Sequence, residues 1–289
     1  MKTVTNGPML FRVARRMTRS KIIGSGFLMR TLGRLGALDA LAEYHFGRVK
    51  ISVPLSKLKW DYSDVANYET RLIDTFCSAL APFKEVTLFD CGADIGTFSC
   101  LVISRAQNVA LLIAFEPNPD VNGYLRTNLS NLPVQSQVIV KAVSWFEGSG
   151  RLAQPAYDHT DHARFLVPGA GPVEVIKIDS MNVRGGDIAI KADIEGGELD
   201  ALMGAAETIA AARRCAVVIE ANPTVVKRNG RDPVECLKFL ESIRPFDFVV
   251  AETGQRASTA GPLLSRGQTA IWNIVGCARQ QASARGTAA

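Results

Sequence analysis

Acidic side chains stand at the ends of several apolar runs, where a folded chain can put them to use. Asp90-Cys91-Gly92-Ala93-Asp94-Ile95-Gly96-Thr97-Phe98-Ser99 closes the run 86–89 and opens a helical segment. Small residues at a strand-to-helix turn leave backbone N–H groups open to a ligand, because no side chain blocks the approach. Dinucleotide-binding turns read G-x-G-x-x-G and seat a pyrophosphate on the helix N-terminus. Here Asp90 sits on the strand end, and Asp94 stands where a middle glycine would. Two carboxylates so close repel a pyrophosphate and favour a cation. S-adenosylmethionine, with its ammonium and sulfonium, meets that requirement, and Asp90, Gly92, Asp94, Gly96 and Thr97 are the candidate contacts. The plain alternative is a glycine-rich turn that touches no ligand.

The second run, 109–115, ends in Phe115-Glu116-Pro117-Asn118, with Glu116 twenty-four residues after Gly92. A carboxylate there is placed to accept hydrogen bonds from both ribose hydroxyls of an adenosine group. Asn118 joins it as a candidate contact and also suits the N-cap of a helix beginning near Pro119. In the third run, 134–143, Ala142 and Val143 either lie near an adenine ring or simply fill the strand core.

The fourth run closes with Lys191-Ala192-Asp193-Ile194-Glu195-Gly196-Gly197-Glu198. Desolvated charges must be paired or ligated, and alternation along a strand directs Lys191, Asp193 and Glu195 to one side. They form either a structural ion network or a catalytic set. In the catalytic set Asp193 lies beside a transferred methyl group, and Glu195 orients it or acts on the acceptor. Two routes can activate an acceptor hydroxyl. One is a general base, a carboxylate or a histidine of the cluster His159-Thr160-Asp161-His162, with His162 as the candidate. The other is a divalent cation on oxygen ligands such as Glu220 and Asn222, which follow the run 215–219. The histidine cluster otherwise reads as a solvated loop.

These motifs, in this order, resemble the FkbM family of S-adenosylmethionine-dependent methyltransferases. The likeness runs from about Val86 to Gly254 and includes Phe-Asp-Cys-Gly-Ala-Asp-Ile-Gly-Thr-Phe-Ser, Ala-Phe-Glu-Pro-Asn-Pro, Lys-Ala-Val-Ser, Val-Ile-Lys-Ile-Asp-Ser-Met and Lys-Ala-Asp-Ile-Glu-Gly-Gly-Glu-Leu. Family members typically carry Asn at position 94 and Ala at position 197. The resemblance implies a class I methyltransferase sheet of seven strands. It also implies O-methylation of hydroxyls on sugars, glycolipids, polysaccharide precursors or natural products. The rival readings are an NAD-dependent oxidoreductase and a catalytically degenerate methyltransferase-like binding protein.

The elements that must position these residues follow from the pattern. Short apolar runs at 86–89, 109–115, 134–143, 188–192, 215–219, 246–250 and 270–275 alternate with helix-length segments. This predicts a doubly wound, mostly parallel, Rossmann-like α/β sheet. Residues 64–80 have helical spacing, and the stretch between 144 and 187 reads as Gly/Pro-rich loops plus a strand at 173–178. The expected organisation is a basic helical extension over 1–63, a methyltransferase domain over 64–278 and a disordered tail over 279–289. The chain has 289 residues with 47% hydrophobic and 21% charged, enough apolar content for a real core. Its first fifty residues hold ten of the basic side chains and two acidic ones. That segment reads as a solvated, partly folded extension, as one that would suit an anionic membrane surface, or as a start similar to a mitochondrial transit peptide, whereas the net-negative remainder argues against nucleic acid. Six scattered cysteines, no secretory signal and no long apolar run point to a cytoplasmic protein. The acceptor class that fits is a small molecule or glycan.

Overall fold

Strands buried on both faces need continuous apolar runs, and the centre of this fold is built from such runs. The computed structural model describes residues 2–5, 25–36, 40–57, 65–154, 164–226, 230–259 and 271–280. The N-terminal elements are β1 (Lys2–Thr5), α1 (Ser25–Arg34), β2 (Leu41–Phe46), β3 (Val49–Pro54) and α2 (Thr70–Leu80). The central alternation follows as β4 (Val86–Cys91), α3 (Thr97–Arg105), β5 (Val109–Phe115), α4 (Pro119–Leu129) and β6 (Gln135–Ile139). Next come β7 (Ala142–Val143), β8 (Gly148–Ala153), β9 (Phe165–Pro168) and β10 (Val173–Ile176). The C-terminal part holds β11 (Asp187–Ala192), α5 (Glu198–Met203), α6 (Ala206–Ala211), β12 (Arg214–Ala221) and α7 (Pro223–Val226). It closes with α8 (Val234–Ile243), β13 (Phe246–Val250), β14 (Arg256–Ala257) and β15 (Trp272–Ala278).

The large sheet runs in the order β14-β13-β15-β12-β11-β4-β5-β6. Its strands from β12 to β6 are mutually parallel, and β15 inserts antiparallel between β12 and β13. This is the Rossmann-like α/β sheet that the alternation predicts, with the two-residue β14 added at one edge. From β4 the chain winds outward through β5 and β6, then returns to place β11 on the other side of β4. The strand order therefore reverses between β4 and β11, and open α/β sheets bind ligands at the carboxyl ends of strands at such a point. One face packs on α2, α3 and α4 through residues such as Phe76, Leu88, Leu101 and Leu125. The other packs on α5, α6 and α8 through Ile190, Leu202, Ile209 and Leu237.

Three regions depart from the sequence reading. The extension is not purely helical, because β2 and β3 form a hairpin turned at Gly47-Arg48 and extended by β1 into a three-stranded sheet. Alternation decides it: Ala42 and Tyr44 on one strand and Val49, Ile51 and Val53 on the other are buried in the same cluster as α3 and α4. The run 134–143 is two strands, of which β7 leaves the large sheet to pair with β10. The insertion is a four-stranded sheet, β7-β10-β8-β9, in which β10 falls within the strand expected at 173–178 while β8 and β9 stand where loops were expected. Residues 6–24, much of the basic segment, and 281–289 of the expected tail lie outside the described residues, although Arg279 pairs with Asp247 on β13. Among the described residues no helix is long and apolar enough to cross a membrane.

Asn128 fastens the hairpin. Its fully buried amide accepts from the Ser52 N–H at 2.7 Å and donates to the carbonyls of Ser52 at 3.0 Å and Ile95 at 2.8 Å. One side chain thus joins β3, α4 and the turn after β4. Replacing it with Ala strands three buried backbone groups, each costing about 1–3 kcal/mol. Asn128→Ala should lower unfolding stability by about 3 kcal/mol in urea titrations, and a shift below about 1 kcal/mol would show that water restores those partners.

Candidate active site

A cavity of about 490 Å³ opens at the C-terminal ends of β4, β5 and β11, within the usual range for ligand sites. Gly92, Asp94, Glu116, Ala142, Val143 and Asp193 all contribute to its wall, so the structure brings together motifs spread over a hundred residues. Glu195 and Asn118 line it as well. Asp90, Gly96 and Thr97, expected as direct contacts, do not. Asp90 lies beneath the wall, fully buried, where it accepts from the Ser99 hydroxyl at 2.6 Å. Thr97 is turned into the core. Gly96 starts α3 with φ 84°, and a β-carbon there would lie 2.6 Å from Leu129.

Gly92 is demanded by the protein itself. At φ 79° it is in the left-handed region, and a β-carbon would lie 2.1 Å from the Asp193 carbonyl oxygen. The turn after β4 and the end of β11 are thus in backbone contact, which brings the Asp193 carboxylate to the cavity.

Lys191 lies directly beside Asp90 in the sheet register. Its Nζ donates to the Gly92 carbonyl at 2.8 Å and lies 3.2 Å from Asp193 and 3.5 Å from Asp90. Burial opposes the charge on this ammonium, but Asp193, Asp90 and Glu69 more than offset it and raise its pKa. Two members of the ion network considered for the fourth motif, Lys191 and Asp193, are therefore paired and both line the cavity, with Asp90 as the third member. Glu195 departs from that strand alternation: β11 ends at Ala192, and Glu195 sits in the following turn at φ 58°. Glu198 holds this turn by accepting the N–H groups of Ile194 and Gly196, both at 3.0 Å.

Glu116 directly follows β5 with its carboxylate already fixed. The Asp94 and Asn118 N–H groups donate to it, each at 2.8 Å. Desolvation pushes its pKa up to about 7 against those two hydrogen bonds. Asn118 caps α4 as expected and also accepts from Arg164, a cavity residue on β9's approach. The charge of Asp94 is answered by Lys57, 2.8 Å away.

The sequence reading missed Tyr68 and Glu69, which line the cavity just before α2. Burial pushes Glu69 up to about 7, with Asp193 adding to the shift and Lys191 opposing it. Tyr68 is raised by burial and by the carboxylates of Glu69, Asp193, Asp94 and Asp90. The signal available was an acid at a helix start, which helix capping explains equally well. Glu220, at the end of β12, also lines the wall and is pushed up to about 9 by burial and by Asp193, Glu195 and Glu198. Among the described residues no group of three or more His, Cys, Asp and Glu is arranged to hold a metal ion. His159 and His162 lie outside the described residues.

A family model described as the methyltransferase FkbM domain matches residues 90–248, more than half of the chain. The chain belongs to the FkbM methyltransferase family. The hexuronic acid methyltransferase AglP of Haloferax volcanii is 27% identical over 168 residues, a match covering 56% of this chain and 64% of that relative. The crystal structure of methyltransferase FkbM from Methylobacillus flagellatus KT shows 20% identity and a TM-score of 0.41, over 69% of this chain and 45% of that one. That of M. jannaschii TYW2 in complex with AdoMet shows 15% identity and a TM-score of 0.43, over 83% and 85%. S-adenosylmethionine is the methyl donor of the FkbM family, and the cavity fits it. The fixed Glu116 carboxylate, the small residues Gly92 and Ala142, and a wall rich in carboxylates suit an adenosine that bears cationic groups.

Two outcomes test this geometry. Gly92→Ala should abolish binding of S-adenosylhomocysteine in calorimetry, since the added carbon collides with backbone rather than with a movable side chain; an unchanged titration would show that the turn can relax. The second concerns pH. Glu69, Glu116 and Glu198 are raised from an ordinary 4.5 to about 7, and Glu220 to about 9. Each binds its proton more tightly when folded, so its contribution is complete below the unfolded pKa and is lost as pH rises through the folded one. Thermal midpoints should fall by several degrees between about pH 5.5 and about pH 8.5. Glu198→Gln should flatten that slope, and a midpoint that rose over the same range would contradict the burial of these carboxyls.

Proposed function

We propose that the chain is an S-adenosylmethionine-dependent O-methyltransferase acting on a hydroxyl of a sugar, glycolipid or polysaccharide precursor. The observation that carries this reading is a single cavity in which Glu116 and the Gly92 turn adjoin a group of carboxylates, Asp193, Glu195, Glu69 and Glu220. When bound, S-adenosylmethionine supplies an electrophilic methyl group on a sulfonium. Glu116 and Asn118, with Ala142 and Val143 beside them, would hold the adenosine, and Asp193, fixed by Lys191, would lie beside the methyl group. Much of the rate in such a displacement comes from positioning the acceptor oxygen.

The hydroxyl must also lose a proton. A base is most effective when its pKa lies near the working pH, and Glu69, at about 7, meets that condition better than Glu220 at about 9. Glu195 then orients the acceptor. A sugar suits this wall, because Trp145 lines it half exposed and offers an apolar face to a ring, while Arg231 and the carboxyls offer hydrogen bonds. The name of the Haloferax relative, a hexuronic acid methyltransferase, supports a sugar acceptor.

The test is transfer of labelled methyl from S-adenosylmethionine to a panel of neutral sugars, uronic acids and glycolipid precursors. Methylated sugar carrying the label on oxygen is the expected product, and label on nitrogen or carbon would overturn the O-methyl assignment. With an accepted sugar, Glu69→Gln should reduce kcat about 10²–10⁴-fold while S-adenosylhomocysteine still binds. Undiminished turnover would remove Glu69 from the role of base.

A further inference from the structure

Lys57 does not line the cavity, yet it reaches the turn that does. It follows the hairpin strand β3 and directs its Nζ to both carboxylate oxygens of Asp94, at 2.8 and 3.0 Å. The pair is largely shielded, with side-chain exposures of 10% for Lys57 and 21% for Asp94. Asp94 in turn donates its backbone N–H to Glu116, and its carboxylate charge bears on both Glu116 and Tyr68. It holds φ 47°, a strained value for a residue with a side chain. A second link runs between the same two pieces of chain, because Asn128 bonds Ser52 on the hairpin and Ile95 in the turn.

We propose that Lys57 is a positioning residue for the cofactor, pairing with Asp94 so that the turn after β4 presents an ordered Glu116 to the ribose. Without the ammonium, the Asp94 carboxylate would sit close to Glu116 in a poorly solvated place, and like charges there repel strongly. Asp94 would then swing toward solvent and withdraw its N–H from Glu116, or Glu116 would take up a proton. Either change spoils a carboxylate that must accept two hydroxyl hydrogen bonds. The N-terminal hairpin thereby becomes part of the cofactor site rather than an appendage. This rests on the assignment of the cavity to S-adenosylmethionine.

A double-mutant cycle on the full chain, read by calorimetric titration with S-adenosylhomocysteine, tests the proposal. Lys57→Met should weaken binding about tenfold, the size of coupling seen between contacting charges. In the Asp94→Asn background the same step should change affinity less than about twofold, because no carboxylate is left to neutralise. Lys57→Arg should bind like the wild type. A hairpin needed merely for folding would lose affinity equally in both backgrounds, and that result overturns the proposal, as does Lys57→Met binding like the wild type. If the single variant does not fold, K57M/D94N against D94N decides: equal affinity supports the proposal, and a tenfold loss refutes it. A wild-type chain that binds no S-adenosylhomocysteine overturns the cofactor assignment and this inference together, whereas strong wild-type binding with an unaffected K57M removes Lys57 alone.

Discussion

The C-terminal edge of the sheet depends on one buried ammonium. Lys191 stands between the ends of β4 and β11 and meets the Asp90 carboxylate, the Gly92 carbonyl and the Asp193 carboxylate together. Each of these groups would be costly to bury alone, and so would the lysine. Together they fix how far apart the two strand ends lie, and hence where the Gly92 turn and Asp193 face the cavity. The backbone contact at Gly92 is the steric half of the same constraint. Register explains how the sequence achieves it: Lys191 pairs with Asp90 across the ladder, and two residues later the chain presents Asp193.

The cavity is also where the chain departs from conformational ease. Five non-glycine residues among those described hold left-handed backbone, and three of them, Glu69, Asp94 and Glu195, line the cavity. All three are acidic. Strain of this kind costs about 1–3 kcal/mol per residue and persists where the surrounding structure over-determines it. Buried carboxyls add a second cost, visible in the raised pKa values of Glu69, Glu116 and Glu220. A fold selected for stability alone would fill these positions with glycine or apolar side chains. Their coincidence in one cavity is what a binding site for a cationic ligand would produce.

The parallel sheet was legible because its strands are continuous apolar runs, and buried strands leave little else to read. Strand-end acids were legible for the same reason, since a charge closing an apolar run has to be explained. Two kinds of feature were not. The hairpin β2–β3 and the strands β8 and β9 alternate over only a few residues, amid glycines that read equally well as loop. Glu69 and Lys57 sit in no motif at all; tertiary packing of α2 and the hairpin brings Glu69 to the cavity and Lys57 to the turn that lines it, which spacing along the chain does not encode. Asp90, Gly96 and Thr97 are the converse case. Their motif was recognised, but a motif residue can serve by fixing its neighbours, as the Ser99–Asp90–Lys191 contacts do.

Protonation divides the carboxyls of the cavity by place. Burial, with Asp193, Glu195 and Glu198 adding to it, holds Glu220 toward its protonated form, in which it can donate a hydrogen bond. Glu69 and Glu116, near 7, exchange a proton readily in that range. Asp193 is paired with the Lys191 ammonium, 3.2 Å away. For each of Glu69, Glu116 and Glu220 desolvation by burial is the largest cause of the shift, and Lys191 opposes it. Carboxyls that would repel one another if all were ionised can therefore share one cavity, because burial favours the neutral form of Glu69, Glu116 and Glu220 while one lysine offsets part of the repulsion. A cationic ligand entering that cavity would pull the titrating members toward the charged form, so binding and deprotonation would be linked.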